Sequence, residues 1–406
     1  MRDFFRFEYL NGDYPLLGAS VQSGVPTAVF GLNDAQKYLV ASLFPGRAVY
    51  IAADALTAKR AAESIAVLSG KEVALLAAKD EVLTFRRAGS RDALFRRLTA
   101  LYRWQAGAEV LVCDVEAVCQ LVPKKLAVFS LEAGRETDMR ALIGRLAEAG
   151  YVRDASPESK GMFAVRGDVL DIYPVNCEHP VRIDFFGDEV ESIKPYDEVT
   201  GERYPLLSRI DIVAATDAVY GEGERERVAA EMRAMAKKAP SSAAYSRMTA
   251  IAADVESGAP TDFVLPILEN AGDVFSLLPR DTLLIFDESK LIRDKIEGLY
   301  KEHYERYAEL EKGGAVFPFS IEQYAPSLCR RSRVISGFSS RSKYSISLLR
   351  PPGVIRARCP ISSSISRRGS GRATASSCTA ERPSARQNCG SRSPKSTSRP
   401  RNCLHA

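Results

Sequence analysis

The stretch of sequence that decides the fold of this chain is residues 161–204, which read GMFAVRGDVLDIYPVNCEHPVRIDFFGDEVESIKPYDEVTGERY. Short runs of alternating apolar and polar side chains are separated here by residues that favour turns, which is typical of a small antiparallel sheet. The turn residues are Asn176 and Pro180 around the first connection, Gly187 and Asp188 in the second, and Thr200 and Gly201 in the third. The stretch therefore predicts a β-sheet of short, consecutive strands.

The predicted middle strand, residues 181–186, has two faces of different character. Because side chains alternate along a strand, one face carries Val181, Ile183 and Phe185 and the other carries Arg182, Asp184 and Phe186. The second face places a large aromatic ring beside charged groups where solvent is expected, and such side chains are typical anchors of protein–protein interfaces. Two interpretations stay open at this point. Either Phe186 and Arg182 form a docking surface, or Phe186 packs beneath a helix while Arg182 makes a surface ion pair.

Two motifs within this stretch resemble a known family. RGDVLDIYP at residues 166–174 and PVRIDFFGDEVESI at residues 180–193 are similar to the nucleotide-excision-repair protein UvrB and to the amino-terminal region of the transcription-repair coupling factor family, Mfd. The resemblance implies a small α+β domain that serves as the docking surface for UvrA. Carried over by position, it also implies that Arg166, Arg182 and Phe186 make the contacts with UvrA.

Outside this stretch, the body of the chain alternates between helical and strand-like segments. Continuous apolar runs at residues 48–53 and 109–113 are typical of strands covered on both faces, and helical periodicity between them favours a parallel sheet flanked by helices. A further strand-like run at residues 281–286 predicts a return to the same unit. Pattern and resemblance together predict an α/β fold: a degenerate helicase-like parallel-sheet domain at residues 1–125 and 207–326, an inserted α+β domain at 126–206, and a disordered tail at 327–406.

A candidate phosphate-binding loop begins at Gly31 and reads GLNDAQKY. Gly31 and Lys37 match the G-x-x-x-x-G-K-[ST] motif, but Gln36 replaces the second glycine and Tyr38 replaces the small hydroxyl residue. The glycine lets backbone amides surround phosphate, and the small hydroxyl group binds Mg²⁺. We therefore predict a degenerate nucleotide loop, which the resemblance implies for coupling factors, whereas UvrB carries a working one.

No other pattern in the sequence predicts catalysis. Asp287 and Glu288 follow the strand-like run at 281–286, where helicase-like domains hold Mg²⁺, but without a usable phosphate loop we interpret Asp287 or Ser289 as a helix cap. The 3 histidines have no Cys or Asp partner placed for nucleophilic chemistry, and the 8 cysteines show no metal-ligand spacing. We expect no catalytic residue and no metal site.

The tail at residues 327–406 differs in composition from the rest of the chain. It contains 17 basic residues and 1 acidic residue, so the body of the chain is acidic at about −11 although the whole chain carries +5. Serine, arginine, proline and glycine dominate without apolar periodicity, which predicts disorder. We interpret the tail as an off-frame translation, and an arginine-rich nucleic-acid-binding arm is the alternative.

Together, the residues and the resemblance predict an amino-terminal coupling-factor fragment that recruits UvrA and is not an enzyme. The family uses ATP and contacts RNA polymerase and DNA through downstream domains that we expect this chain to lack, so we expect no cofactor. A UvrB-like or helicase-like ATP-binding repair protein and a nucleic-acid-binding protein are the alternatives. No apolar run has the length of a membrane span and no signal peptide is evident, so we expect no membrane contact and a cytoplasmic location.

Overall fold

Two larger sheets organise the fold, one of six strands and one of five among the residues described. The computed structural model describes residues 13–24, 26–79, 91–197, 199–259, 264–317 and 319, together with the backbone of 345–349. The helices of this part are α1 (Tyr14–Gln22), α2 (Asp34–Leu43), α3 (Ala55–Ser69), α4 (Asp92–Ala106), α5 (Val115–Cys119), α6 (Met139–Glu148), α7 (Glu224–Ala236), α8 (Ser242–Ser257) and α9 (Ser289–Lys312). The strands are β1 (Thr27–Phe30), β2 (Ala48–Ala52), β3 (Val73–Leu76), β4 (Val110–Asp114), β5 (Val122–Pro123), β6 (Val128–Glu132), β7 (Val152–Arg153), β8 (Met162–Arg166), β9 (Val169–Tyr173), β10 (Val181–Phe186), β11 (Glu189–Pro195), β12 (Arg209–Val213), β13 (Ala271–Gly272), β14 (Leu283–Asp287) and β15 (Ser345–Leu349).

The six-stranded sheet has the order β1-β15-β14-β2-β4-β3. Strands β14, β2, β4 and β3 run parallel, whereas β15 is antiparallel to both of its neighbours. Every residue of β2, β4 and β14 is buried, as expected for parallel strands covered on both faces. The predicted parallel sheet is confirmed, and β14 returns the chain to this sheet after the antiparallel one.

Helices cover the parallel sheet because alternate strand residues point to opposite faces. On one face Tyr50 of β2 packs with Ile65 of α3, and on the other Ile51 packs with Trp104 of α4. Helix α3 begins where the Asp54 carboxylate accepts a hydrogen bond from the backbone amide of Thr57, 2.9 Å away.

The five-stranded sheet has the order β11-β10-β9-β8-β7 and corresponds to the stretch at residues 161–204. Its strands pair antiparallel except for β7 with β8, which are parallel. Ile183 of β10 lies opposite Leu170 of β9, so apolar residues share one face of this antiparallel sheet. Leu142 and Leu146 of α6 pack in the same core, and this covered face is called the inner face below. The predicted antiparallel sheet is confirmed.

Helix α4 takes part in the cores of both sheets. Phe95 and Leu98 belong to the core of the antiparallel sheet, whereas Leu101 and Trp104 belong to that of the parallel sheet. A Cβ atom placed on Gly161, which precedes β8, would lie 2.8 Å from the Phe95 ring. The two sheets are therefore joined by shared packing, and the domain boundaries at 125/126 and 206/207 stay predictions.

Residues 345–349 correct the prediction of a wholly disordered tail. They form β15, which pairs with β1 on one side and β14 on the other. A strand between two others needs backbone donors and acceptors on both sides rather than a particular composition, so the composition of the tail did not reveal it. The rest of the tail lies outside the described residues, and so does the alternative of a nucleic-acid-binding arm.

Membrane and metal features were also sought in the described residues. No helix in this part of the chain is both long and apolar enough to cross a membrane. Nor does any group of three or more His, Cys, Asp and Glu side chains there have a geometry that could hold a metal ion. Cys113 and Cys119 are buried and Cys177 is half-buried, and none of the three forms a disulfide within the described residues.

Candidate protein-docking surface

Strand β10 presents two phenylalanines in opposite environments. Phe185 is 5% exposed in the core, whereas the next residue, Phe186, is 80% exposed at the end of the strand. Burial follows the predicted alternation along β10, since Val181 and Ile183 are also buried. The alternative that Phe186 packs beneath a helix is therefore wrong. The face of the sheet that carries Phe186, opposite the inner face, is called the outer face below.

Arg182 lies on the outer face and makes a two-pronged ion pair within the sheet. Its Nε and Nη2 atoms donate to the two carboxylate oxygens of Asp171, at 2.7 and 2.9 Å. Asp171 is directly opposite on β9 and is itself buried. The hydrogen bond to Asp171 raises the pKa of Arg182 above its usual value, although partial burial opposes the shift. The pair holds the guanidinium in a fixed orientation while 40% of the side chain stays exposed.

Arg166 reaches the same outer face from β8. It pairs with Val169 of β9, which in turn pairs with Asp184 of β10, so the three side chains form one row across the sheet. The Nη2 atom of Arg166 donates to the backbone carbonyl of Ala155, at 2.7 Å. The structure thus brings Arg166, Arg182 and Phe186 to one face, and their contact with UvrA stays a prediction.

Strand β11 adds charged residues that the sequence analysis did not single out. Lys194 lies directly opposite Arg182, and its Nζ donates to the Asp184 carboxylate at 2.5 Å. Ser192 also donates to Asp184, at 2.7 Å. The signal was present in the sequence, since Ser192 and Lys194 alternate along β11 as outer-face residues must, and Tyr196 continues the alternation just after the strand.

The candidate nucleotide loop is built as an ordinary helix start. Asn33 and Gln36 form a reciprocal capping box: the Asn33 side chain accepts from the Gln36 amide at 2.9 Å, and the Gln36 side chain accepts from the Asn33 amide at 3.0 Å. Asn33 therefore caps α2. Two of the backbone amides at this helix start already have protein partners, and Tyr38 is buried.

Lys37, the remaining feature of the loop, is 3% exposed and surrounded by carboxylates. Its Nζ lies 2.6 Å from Glu288 and 2.9 Å from Asp287, both at the carboxyl end of β14. Although burial opposes the shift, hydrogen bonds to these two carboxylates raise the pKa of Lys37 well above its usual value. The ammonium group is therefore charged and occupied by the protein itself.

The capping role predicted for Asp287 or Ser289 is wrong. Helix α9 has Glu288 at its N-cap position, and no side chain caps it. Asp287 instead forms an ion pair with Lys37, at 2.9 Å, and accepts a hydrogen bond from the Tyr50 hydroxyl, at 2.8 Å. Glu288 has φ 58°, a left-handed conformation unusual for a residue with a side chain, and its carboxylate is held by Lys37. An ion pair between distant segments thus replaces the local cap that the sequence suggested.

Comparison with known proteins identifies the class of the antiparallel-sheet region. Residues 129–217 match the family described as the UvrB interaction domain. That range includes almost all of β6, the whole antiparallel sheet with α6, and β12. This part of the chain is a UvrB interaction domain.

Named relatives extend the similarity beyond that domain. The chain is 27% identical to a transcription-repair-coupling factor of Bacillus subtilis (strain 168) over 267 residues, which cover 62% of this chain and 23% of the relative. It is 30% identical to a transcription-repair-coupling factor of Myxococcus xanthus over 203 residues, covering 47% and 17%. It is also 30% identical to UvrABC system protein B of Legionella pneumophila (strain Corby) over 247 residues, covering 55% and 36%.

The matched region accounts for well under half the length of each of these relatives. Within that matched region, the chain is similar both to transcription-repair-coupling factors and to UvrABC system protein B.

Proposed function

We propose that this chain docks UvrA through the outer face of the antiparallel sheet, with Phe186 as the apolar anchor and Arg166 and Arg182 as the charged contacts. The proposal combines the UvrB interaction domain at residues 129–217 with the geometry of that face. A sheet that packs on a core with its inner face is well suited to rigid docking through its outer face. The outer-face side chains are then positioned before the partner arrives.

The exposure of Phe186 is the observation that carries this proposal. Leaving a phenylalanine ring 80% in solvent forgoes roughly 2 kcal/mol of burial free energy. The ring lies four residues from an arginine that Asp171 already orients, and aromatic rings and arginines are the residue types enriched among interface hot spots. A partner that covers the Phe186 ring on this surface would therefore gain the burial free energy that the free chain forgoes.

We further propose that the chain binds no nucleotide at the loop beginning at Gly31, as expected for a coupling-factor-like rather than a UvrB-like protein. Phosphate binding there would have to displace Asp287 and Glu288 from Lys37 and break the Asn33–Gln36 capping box. Equilibrium dialysis of the purified chain with ATP and Mg²⁺ tests this point. We expect no binding at millimolar ATP, and saturable binding that is lost in Lys37→Ala would contradict it. Contacts with RNA polymerase or DNA stay predictions from the resemblance.

An affinity measurement with purified UvrA tests the docking proposal. We expect Phe186→Ala to weaken binding by at least about 30-fold, equivalent to about 2 kcal/mol at an interface hot spot. Val67→Ala, which removes an equally exposed apolar side chain from α3, is the matched control and should bind like the wild type. Equal affinity of the wild type and Phe186→Ala would rule out the assigned surface.

A further inference from the structure

A cleft of about 350 Å³ extends the outer face beyond the residues discussed so far. It is lined by Arg182 and Asp184 of β10, Lys194 of β11, and Tyr196, Gly201 and Arg203 from the hairpin that follows β11. Tyr196 and Arg203 face each other across this hairpin in an antiparallel bridge. The backbone amide of Asp197 closes the hairpin by donating to the Glu202 carbonyl, at 2.8 Å.

The lining of the cleft carries more positive than negative charge. Among the described residues that line it, three are cationic and one, Asp184, is a carboxylate. Arg182 and Lys194 lie directly opposite each other, an arrangement of like charges that is unfavourable by itself. Each has a carboxylate partner, Asp171 for Arg182 and Asp184 for Lys194. A further carboxylate placed between them would relieve the remaining repulsion.

Donors remain for such a carboxylate after the internal hydrogen bonds are made. Asp171 accepts hydrogen bonds from the Nε and Nη2 atoms of Arg182, and Asp184 accepts one hydrogen bond from Lys194, whose ammonium group has three N–H donors. Arg203 is exposed, and its guanidinium forms no ion pair within the part of the chain that the structure describes. Arg182, Lys194 and Arg203 all line the cleft together with Tyr196, whose aromatic side chain offers apolar surface to the stem of an incoming side chain.

We propose that this cleft is a carboxylate-binding pocket that receives an aspartate or glutamate side chain of the docked protein partner. The inference rests on the proposed docking of UvrA and names Lys194, Tyr196 and Arg203 as additional specificity-determining residues. A protein carboxylate fits better than a nucleic-acid backbone because it brings one negative charge close to Asp184, whereas a polyanion brings several. The cleft is also on the same strand face as the exposed Phe186, so one partner surface can cover both.

The affinity of the full chain for purified UvrA, measured at two salt concentrations, tests the pocket. We expect Arg203→Ala to weaken binding about tenfold at low salt, and by less at high salt because screening reduces the contribution of a charged pair. Arg203→Lys should keep most of the affinity, since it retains the charge. Arg140→Ala is the matched control, because Arg140 is exposed on α6, which covers the inner face.

The outcomes separate this inference from the docking proposal. If Phe186→Ala loses affinity while Arg203→Ala and Arg140→Ala both bind like the wild type, docking stands and the pocket is overturned. The pocket is also overturned if Arg203→Ala lowers the affinity of the chain for a short DNA duplex but not for UvrA, since its ligand would then be phosphate. Failure of the wild type to bind UvrA overturns both.

Discussion

At the scale of single residues, Lys37 matches the lysine of the phosphate-loop motif but forms ion pairs within the protein. One ammonium group and two carboxylates meet at the carboxyl end of β14, where Lys37 and Asp287 are almost fully buried. The Tyr50 hydroxyl donates to Asp287 as well, so the excess negative charge is partly satisfied by a neutral donor. The cluster joins α2 to the strand that returns to the sheet about 250 residues later.

The first prediction removes the ammonium group from this cluster. Lys37→Met leaves Asp287 and Glu288 without their cation, and breaking a buried pair in this way costs about 3–5 kcal/mol. Urea denaturation at neutral pH should show that loss in the free energy of unfolding. Lys59→Met, which removes an exposed lysine paired with Glu63 at 4.0 Å, should cost less than about 0.5 kcal/mol. Equal losses in the two variants would contradict the account.

The two faces of β10 could be predicted from the sequence because a strand's alternation is local. The ion pair that the alternative interpretation gave to Arg182 could also be predicted, and Arg182 does form one while staying on the outer face. The partners of Lys37 could not be predicted, since Asp287 and Glu288 are about 250 residues away and nothing local indicates that they meet it. Arg203 escaped notice for a different reason: it belongs to no motif, and its place in the cleft depends on the hairpin that pairs it with Tyr196.

At the scale of elements, Asp184 connects neighbouring strands of the antiparallel sheet. It accepts hydrogen bonds from Lys194 and Ser192 of β11. Partial burial would raise the pKa of Asp184, but these hydrogen bonds outweigh it and lower the pKa below its usual value of 3.8. A lowered pKa means that the ionised carboxylate stabilises the folded state above about pH 3.8, and that this contribution is lost as the pH falls through the lower pKa of the folded protein.

The second prediction follows from the downward shift in the pKa of Asp184. Asp184→Asn should be less stable than the wild type at pH 7, because Lys194 loses its charged partner. The difference in the free energy of unfolding should narrow as the pH falls below 3.8, because the wild type then loses the same charge. Urea unfolding at pH 7, 4 and 2.5 measures it. A difference that stays constant over this range would show that the Asp184 carboxylate contributes nothing as an ion.

Element prediction was most successful where periodicity and turns agree, and weakest at helix ends. Helices α3 and α4 were expected from the helical periodicity between the apolar runs at residues 48–53 and 109–113, but α1 and α8 were not singled out. Strand β15 was missed because its neighbours in sequence are rich in serine and arginine, and its place depends on backbone pairing with β1 and β14.

At the scale of the whole molecule, α4 ties the antiparallel sheet to the parallel sheet. Its first half packs under the antiparallel sheet and its second half carries Trp104, the single tryptophan of the chain, into the other core. The sequence analysis placed α4 entirely in the first domain, because a helix with two packing partners has the same apolar stripe as a helix with one.

The third prediction uses Trp104 as a reporter of this coupling. Phe95→Ala removes a buried ring from the core of the antiparallel sheet and should cost about 3–5 kcal/mol. Because α4 is shared, the unfolding midpoint followed by Trp104 fluorescence should fall together with the midpoint followed by circular dichroism. Val67→Ala on α3 should leave both unchanged. An unchanged fluorescence midpoint in Phe95→Ala would show that the two sheets unfold independently.

The most direct test of the central claim is a photocrosslink from the outer face to UvrA. Replacing Phe186 by p-benzoylphenylalanine places a reactive ring of similar shape at the proposed anchor, and the same replacement at Val67 provides an exposed control on α3. The account predicts a covalent adduct with UvrA from position 186 and none from position 67. An adduct from position 67 alone, or binding of UvrA with no adduct from position 186, would contradict it.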